Sequence, residues 1–334
     1  MQDIYGKLGF IWWQGVVEDI DDPLKLGRCR VRIIGFHSSS KSDIPTENLP
    51  WATPIQPIIS PAISGIGISP TGILCGTWVF GFFRDGQSAQ QPVIFGTVAG
   101  IPQDLPLGHV GFNDPNEQYP TEDYLKESDV NRLARNENIE KTIVKEKIDN
   151  KETNITAALG VEWWEEPETP YNTTYPKNKV VETESGHIQE FDDTPGSERI
   201  HTYHKAGTFE EIHPDGKKIT KVVTDDYEIT LNDRKILIKG NLSSNVENDS
   251  NYKTNNLNVE VEGNVQIFVK GNITVETDGN VNHKVKGTYT LVSEGNMVFV
   301  APRIDLNPNG YDANSVSDPI APLVKKYDSN GNEI

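Results

Sequence analysis

The sequence predicts a mainly β protein: a small five-stranded barrel, an extended linker, and an elongated segment in which three copies of the chain intertwine. Three observations predict it. A glycine returns every eight residues near the end, at Gly263, Gly271, Gly279, Gly287 and Gly295, with apolar residues alternating around it. Five short strand-like runs fill residues 10–98. Only 35% of the 334 residues are apolar, which suits an elongated β protein with little core per chain.

The barrel comes first, over residues 1–104. Its runs are Phe10–Glu18, Arg28–Gly35, Thr53–Ile59, Thr77–Phe83 and Val93–Val98, separated by turn signals such as Asp22-Pro23 and Asp85-Gly86. The second run alternates cleanly. Cys29, Val31 and Ile33 share one face, and Arg28, Arg30 and Arg32 share the other, where they are candidates for contact with an acidic protein partner. The two cysteines, Cys29 and Cys75, fall in apolar stretches and read as buried free thiols rather than a disulfide framework.

Residues 105–184 read as a linker. Pro and charge rise, and Asp129–Ile139 carries a short helical pattern through Val130, Leu133 and Ala134. Trp163-Trp164 reads as an anchoring aromatic pair. Glu165 and Glu166 are adjacent, so in an extended segment they point apart and do not make a glycosidase pair. Strand candidates resume at His201–His204, Thr208–Ile212, Lys218–Val223 and Tyr227–Leu231, with Pro214-Asp215-Gly216 as a turn.

Within each eight-residue unit the apolar positions fall two before the glycine (Val261, Val269, Val285) and two and four after it (Val265, Ile267, Ile273, Val275). That is the period of a strand with one buried face. Gly, followed by Asn in four of five units, tolerates a kink at positive φ. Coils of single-chain solenoids run to roughly 20 residues or more, so an eight-residue unit cannot close one. Three chains, each supplying one side of a triangle, can. The alternative is a plain antiparallel meander, which has no reason to keep an invariant period. The pattern reaches back imperfectly to Gly240, and its register between 245 and 258 stays open. The needle is expected over 185–308, with Ile304 and Leu306 closing its apolar axis, and a polar tail over 309–334.

The net charge of −18 argues against a nucleic-acid partner. The Met1-Gln2-Asp3-Ile4 start is not a signal peptide, and no apolar run reaches membrane-spanning length, so synthesis in a cytosol is expected. No cofactor is expected. His201-x-x-His204 has a metal-ligand spacing, but positions 201 and 204 of a strand face opposite sides. His283 sits in an apolar slot of the repeat, where three copies would meet near the axis.

Several blocks together resemble the central spike proteins of contractile phage tails and the valine-glycine repeat spikes of type VI secretion. In the barrel they are Val16-Val17-Glu18-Asp19, Asp22-Pro23-Leu24-Lys25-Leu26-Gly27-Arg28, Arg30-Val31-Arg32, Ile44 through Trp51, Ser64-Gly65-Ile66-Gly67 and Gly96-Thr97. Further on they are Ser185-Gly186-His187, Glu190 through Gly196, Glu198-Arg199 and His213-Pro214-Asp215-Gly216, and then the glycine repeat. The resemblance implies an oligonucleotide/oligosaccharide-binding (OB) barrel and a C-terminal triple-stranded β-helix, trimerised into a needle. It implies a place in the virion baseplate, under a hub protein and capped by a tip protein of the proline-alanine-alanine-arginine repeat class. The needle is driven transiently through a host outer membrane. Large-phage relatives carry a lysozyme domain between barrel and needle. The interval here is too short for one, so no enzyme is expected. The alternatives are a type VI effector-delivery spike and a polysaccharide-degrading tailspike.

Overall fold

The computed structural model describes residues 10–160 and 163–305. They fall into two units. One comprises residues 10–155 and 163–241, the other residues 156–160 and 242–305.

The first unit opens on a closed barrel of β1 (Ile11–Asp19), β2 (Cys29–Ile33), β3 (Trp51–Pro54), β4 (Trp78–Phe83) and β5 (Pro92–Thr97), ordered β1-β2-β3-β5-β4. All neighbours are antiparallel except β3 and β5, which run parallel with Thr53 opposite Val93. This is the five-stranded barrel expected, with the third strand at Trp51–Pro54 rather than over Thr53–Ile59, and it is consistent with an OB fold. Inward positions supply the core: Trp13 and Val17, Cys29, Val31 and Ile33, Val79 and Phe83, and Ile94. Burial of each large side chain stabilises the barrel by about 1.5–3 kcal/mol. Gly81 lies opposite Trp13, and a Cβ there would sit 2.5 Å from the indole and 2.1 Å from the Val93 carbonyl. The absent side chain makes room for Trp13.

The linker folds as a strap. Helix α1 (Arg132–Arg135) is capped by the Asn131 side chain, which accepts from Leu133 N at 2.8 Å. Helix α2 (Ile143–Asp149) starts at Thr142, whose hydroxyl accepts from Val144 N. Two-residue strands follow, β6 (Ile155–Thr156) and β7 (Trp163–Trp164). A five-stranded sheet comes next: β8 (Asn178–Glu182), β9 (Ile188–Asp192), β10 (Arg199–Tyr203), β11 (Phe209–Ile212) and β12 (Lys218–Lys221). It is an antiparallel meander in chain order. Its second core joins Ile188, Tyr203 and Phe209 to Leu133, Ile143 and Val144 of the strap. The Pro214-Asp215-Gly216 signal is the β11–β12 turn, where Gly216 donates to the His213 carbonyl at φ 80°. Residues 185–221 of the expected needle span therefore pair within their own chain.

Beyond β12 the backbone is extended and bends sharply at 223–224, 231–232, 239–240, 247–248, 255, 262–263, 270–271, 278–279, 286–287, 294–295 and 302. The eight-residue beat thus starts as soon as the sheet ends. Fifteen residues, not sixteen, separate the bends at 247–248 and 262–263, with one bend at Asn255 between them. From 224 to 305 every described residue is exposed, and none belongs to a strand.

Candidate functional site

The barrel arginines are where alternation and burial part company. Arg32 is completely buried. Its Nε and Nη2 donate to the two oxygens of Glu18 at 2.7 and 2.9 Å. Its other bonds run to the carbonyls of Ser38, Ile44 and Gly111 at 2.7–2.9 Å. The expectation of a surface group for a partner is corrected at this residue. The 38–44 loop and the strap cover that side of β2, and the guanidinium is spent holding them. Arg28 clamps Asp22 with two bonds, at 2.6 and 3.1 Å, while Asp22 also accepts from the backbone of Leu24 and Leu26. The Arg28 guanidinium holds the Asp22 carboxyl well below the usual carboxylate range. This organises the Asp22–Arg28 motif as a closed loop. Arg30 pairs with Asp19 at 3.3 Å and lies over the Trp51 ring at 4.5 Å. Asp114, unremarked in the sequence, is fully buried and accepts from the amides of Asn116, Gln118 and Tyr119. No local spacing reveals that role, because the carboxylate acts on its own loop.

A charged layer lies between the sheet and the strap. Glu190 accepts from Asn178 at 2.8 Å, from Arg199 at 2.5 Å and shares a 2.8 Å bond with His201 Nδ1. Glu211 pairs with Lys147 of α2 at 2.7 Å and with His213 at 3.1 Å. His201 therefore faces Glu190, Glu211, Arg199 and Lys147 and is committed to a carboxylate, while His204 lies beyond β10 with its ring 4.5 Å from that of His187. The two histidines of the metal-like spacing are not brought together.

Burial pushes the His201 ring below its ordinary pKa, although Glu190 pulls it up. Burial works against the Glu190 carboxylate, but His201 and Arg199 keep its pKa below the ordinary value. Glu211 stays low in the same way, mainly through Lys147. All three folded pKa values are depressed. Each contribution is present above the unfolded value and is lost as pH falls. The loss sets in below about 6.5 for His201 and below about 4.3 for the glutamates. The thermal midpoint should be flat above pH 7, sag below 6.5 and fall steeply below 4.5, as calorimetry would read it. His201→Gln should shrink the first sag without touching the second, leaving the part set by His37, whose ring burial also holds below its ordinary pKa. A midpoint indifferent to pH between 7 and 4 would contradict this account.

The repeat glycines, Gly240, Gly263, Gly271, Gly279, Gly287 and Gly295, all stand at bends. None of them has positive φ, and a Cβ at any of them meets nothing within 4 Å in its own chain. The positive-φ explanation for these glycines is corrected: the chain itself does not require them. His283 is exposed, with its ring 6.1 Å from that of Tyr289. Ile304 is exposed, and Leu306 lies outside the described residues. Trp163 and Trp164 are also exposed. Glu166 instead turns inward and takes the Lys221 ammonium at 2.8 Å.

Residues 35–179, which hold β3, β4, β5 and the strap, match the family model described as the Gp5 N-terminal OB domain. The chain is 48% identical over 278 residues to Protein Gp5 of Vibrio phage KVP40, covering 74% of this chain and 66% of that relative. It is 25% identical over 476 residues to the pre-baseplate central spike protein Gp5 of Enterobacteria phage T4, covering 78% of this chain and 83% of the relative. The chain thus spans just under two thirds of the length of its Vibrio phage relative. A five-stranded barrel, the strap behind it and these likenesses agree, and the chain belongs to the family of phage baseplate central spike proteins.

Proposed function

We propose that this chain is the structural central spike of a contractile phage tail. In this reading three copies wind their eight-residue segments into a needle that sheath contraction drives through the host outer membrane. The observation that carries it is the apolar column without a partner. Val261, Val265, Val269, Ile273, Val281, Val285, Tyr289 and Met297 are each 44–67% exposed in the single chain. An apolar stripe of this length is a surface waiting for other chains. The glycines support the same reading. Nothing in their own chain excludes a side chain, so close approach by a neighbouring chain supplies the reason for them.

The barrel is proposed to seat against a baseplate hub, where Arg28 and Arg30 keep some exposed atoms while Arg32 does not. Ile304, with Leu306, is proposed as the platform for a tip protein of the proline-alanine-alanine-arginine repeat class. The site of action is the virion baseplate, after synthesis in the host cytoplasm, and no nucleic acid is involved. We assign no muramidase activity. The alignment to the T4 relative runs over 476 positions, yet 78% of the 334 residues is about 260, so that relative carries stretches with no counterpart here. Residues 101–175 are occupied as the strap.

Native mass measurement should return a trimer that survives mild detergent, and deletion of residues 255–300 should abolish it. A monomer at micromolar concentration, or a truncated chain that stays trimeric, would overturn the needle. Incubation with peptidoglycan should release no soluble fragments, and release would overturn the non-enzymatic reading.

A further inference from the structure

The first residue of each bend carries a pattern the apolar column does not explain. From 239 to 294 these residues are, in order, Lys239, Glu247, Asn255, Glu262, Lys270, Asp278, Lys286 and Glu294, while the bends outside that span begin at Val223, Leu231 and Pro302. Wherever two successive ones are charged, the signs are opposite. Random signs would leave about half of such pairs alike. The same-sign residues Glu247 and Glu262 are kept apart by uncharged Asn255. All are exposed, and from Glu262 to Glu294 none has an ion-pair partner in its own chain among the described residues. Along one extended chain, residues eight apart lie roughly 25 Å from each other, far beyond salt-bridge reach.

We infer that these five side chains form ion-pair ladders between different copies of the chain, each lysine flanked by acidic residues one unit before and after it in the neighbouring copies. This rests on the three-chain needle proposed above, and the geometry follows from it. Three copies related by a threefold axis place the same unit on three faces at one level. At each bend every copy moves to the next face and rises by one strand. On any face, therefore, unit n of one copy lies beside unit n+1 of its neighbour, in parallel and about 4.8 Å away. Equivalent positions of successive units become direct lateral neighbours. Lys270 of one copy meets Asp278 of a second, Lys286 of one meets Glu294 of another, and so around the needle. The apolar column lies in the opposite phase of the strand, so the first residue of the bend faces outward, where charge is tolerated. Alternation then has a function. A slip of one unit between copies would set like charges side by side.

The test is a chain carrying both Lys270→Cys and Asp278→Cys. In the ladder these Cα atoms lie within the 4.4–6.8 Å span a disulfide needs. Mild oxidation should convert most of the protein to a covalent trimer on a non-reducing gel. The native thiols do not compete, because burial lifts Cys29 to about 12 and Cys75 to about 11. Lys270→Cys with Lys286→Cys, two strands apart, should not cross-link. Charge is tested separately. Lys270→Glu should lower the trimer's melting temperature in low salt, with recovery in 1 M salt or on inverting the rest of the ladder with Glu262→Lys, Asp278→Lys, Lys286→Glu and Glu294→Lys. A native trimer in which 270 and 278 do not link, or 270 and 286 link equally well, overturns the ladder and leaves the needle standing. A monomer overturns both.

Discussion

Glu18→Ala should destabilise the barrel by about 3–5 kcal/mol, a large part of the 5–15 kcal/mol a typical domain has. The side chains of Glu18 and Arg32 are both fully buried, and the carboxylate also accepts from the Thr46 hydroxyl at 2.8 Å. Removal of Glu18 leaves a guanidinium away from water with only carbonyls for company. The cost lies less in the lost attraction than in the stranded charge. Glu18→Met combined with Arg32→Met should therefore do less harm than either change alone, because no charge is then buried. The double variant should still loosen the 38–44 loop and the strap at Gly111, which depend on Arg32 donors. Urea unfolding followed by tryptophan fluorescence reads both effects. A single variant within about 1 kcal/mol of the parent would show that Arg32 finds water when Glu18 is gone.

Val285→Asp should dismantle the proposed needle. Val285 lies two residues before Gly287, in the apolar phase, and threefold symmetry would bring three carboxylates to one level of a closed axis. Each unpaired buried carboxylate costs several kcal/mol, so the assembly loses roughly 10 kcal/mol from one change per chain. Thr290→Asp, in the opposite phase, should leave the trimer nearly unaltered. Native mass spectra and melting curves of the two variants separate inward from outward. Equal behaviour would mean that the eight-residue phase does not define a core.

How far the sequence could be read depended on how local the cause was. Four barrel strands were legible, as where inward Cys29, Val31 and Ile33 alternate with the arginines, while the third was expected at Thr53–Ile59 and lies at Trp51–Pro54. The fate of Arg32 was not legible. Alternation separates two faces but does not say that residues 38–44 and 111 will return to cover the second. The separation of His201 from His204 followed from strand periodicity. The carboxylates that engage His201 and Lys147 stand on β9 and β11, and Lys147 stands on α2, so only folding brings them together. The bends at the glycines were legible as a period. Their cause was misread as backbone conformation, since none of these glycines has positive φ.

The fifteen-residue step around Asn255 has a consequence for how three chains find one another. A rope ladder of identical rungs can be tied out of step anywhere, and each mistake looks locally correct. One rung set closer than the rest works as an index mark. Two such ladders lie flush along their whole length only when their odd rungs coincide. On the three-chain reading, an offset by any number of units leaves a mismatch that cannot be spread out. The shortened step would then act during assembly rather than in the finished needle, making a repetitive segment unambiguous.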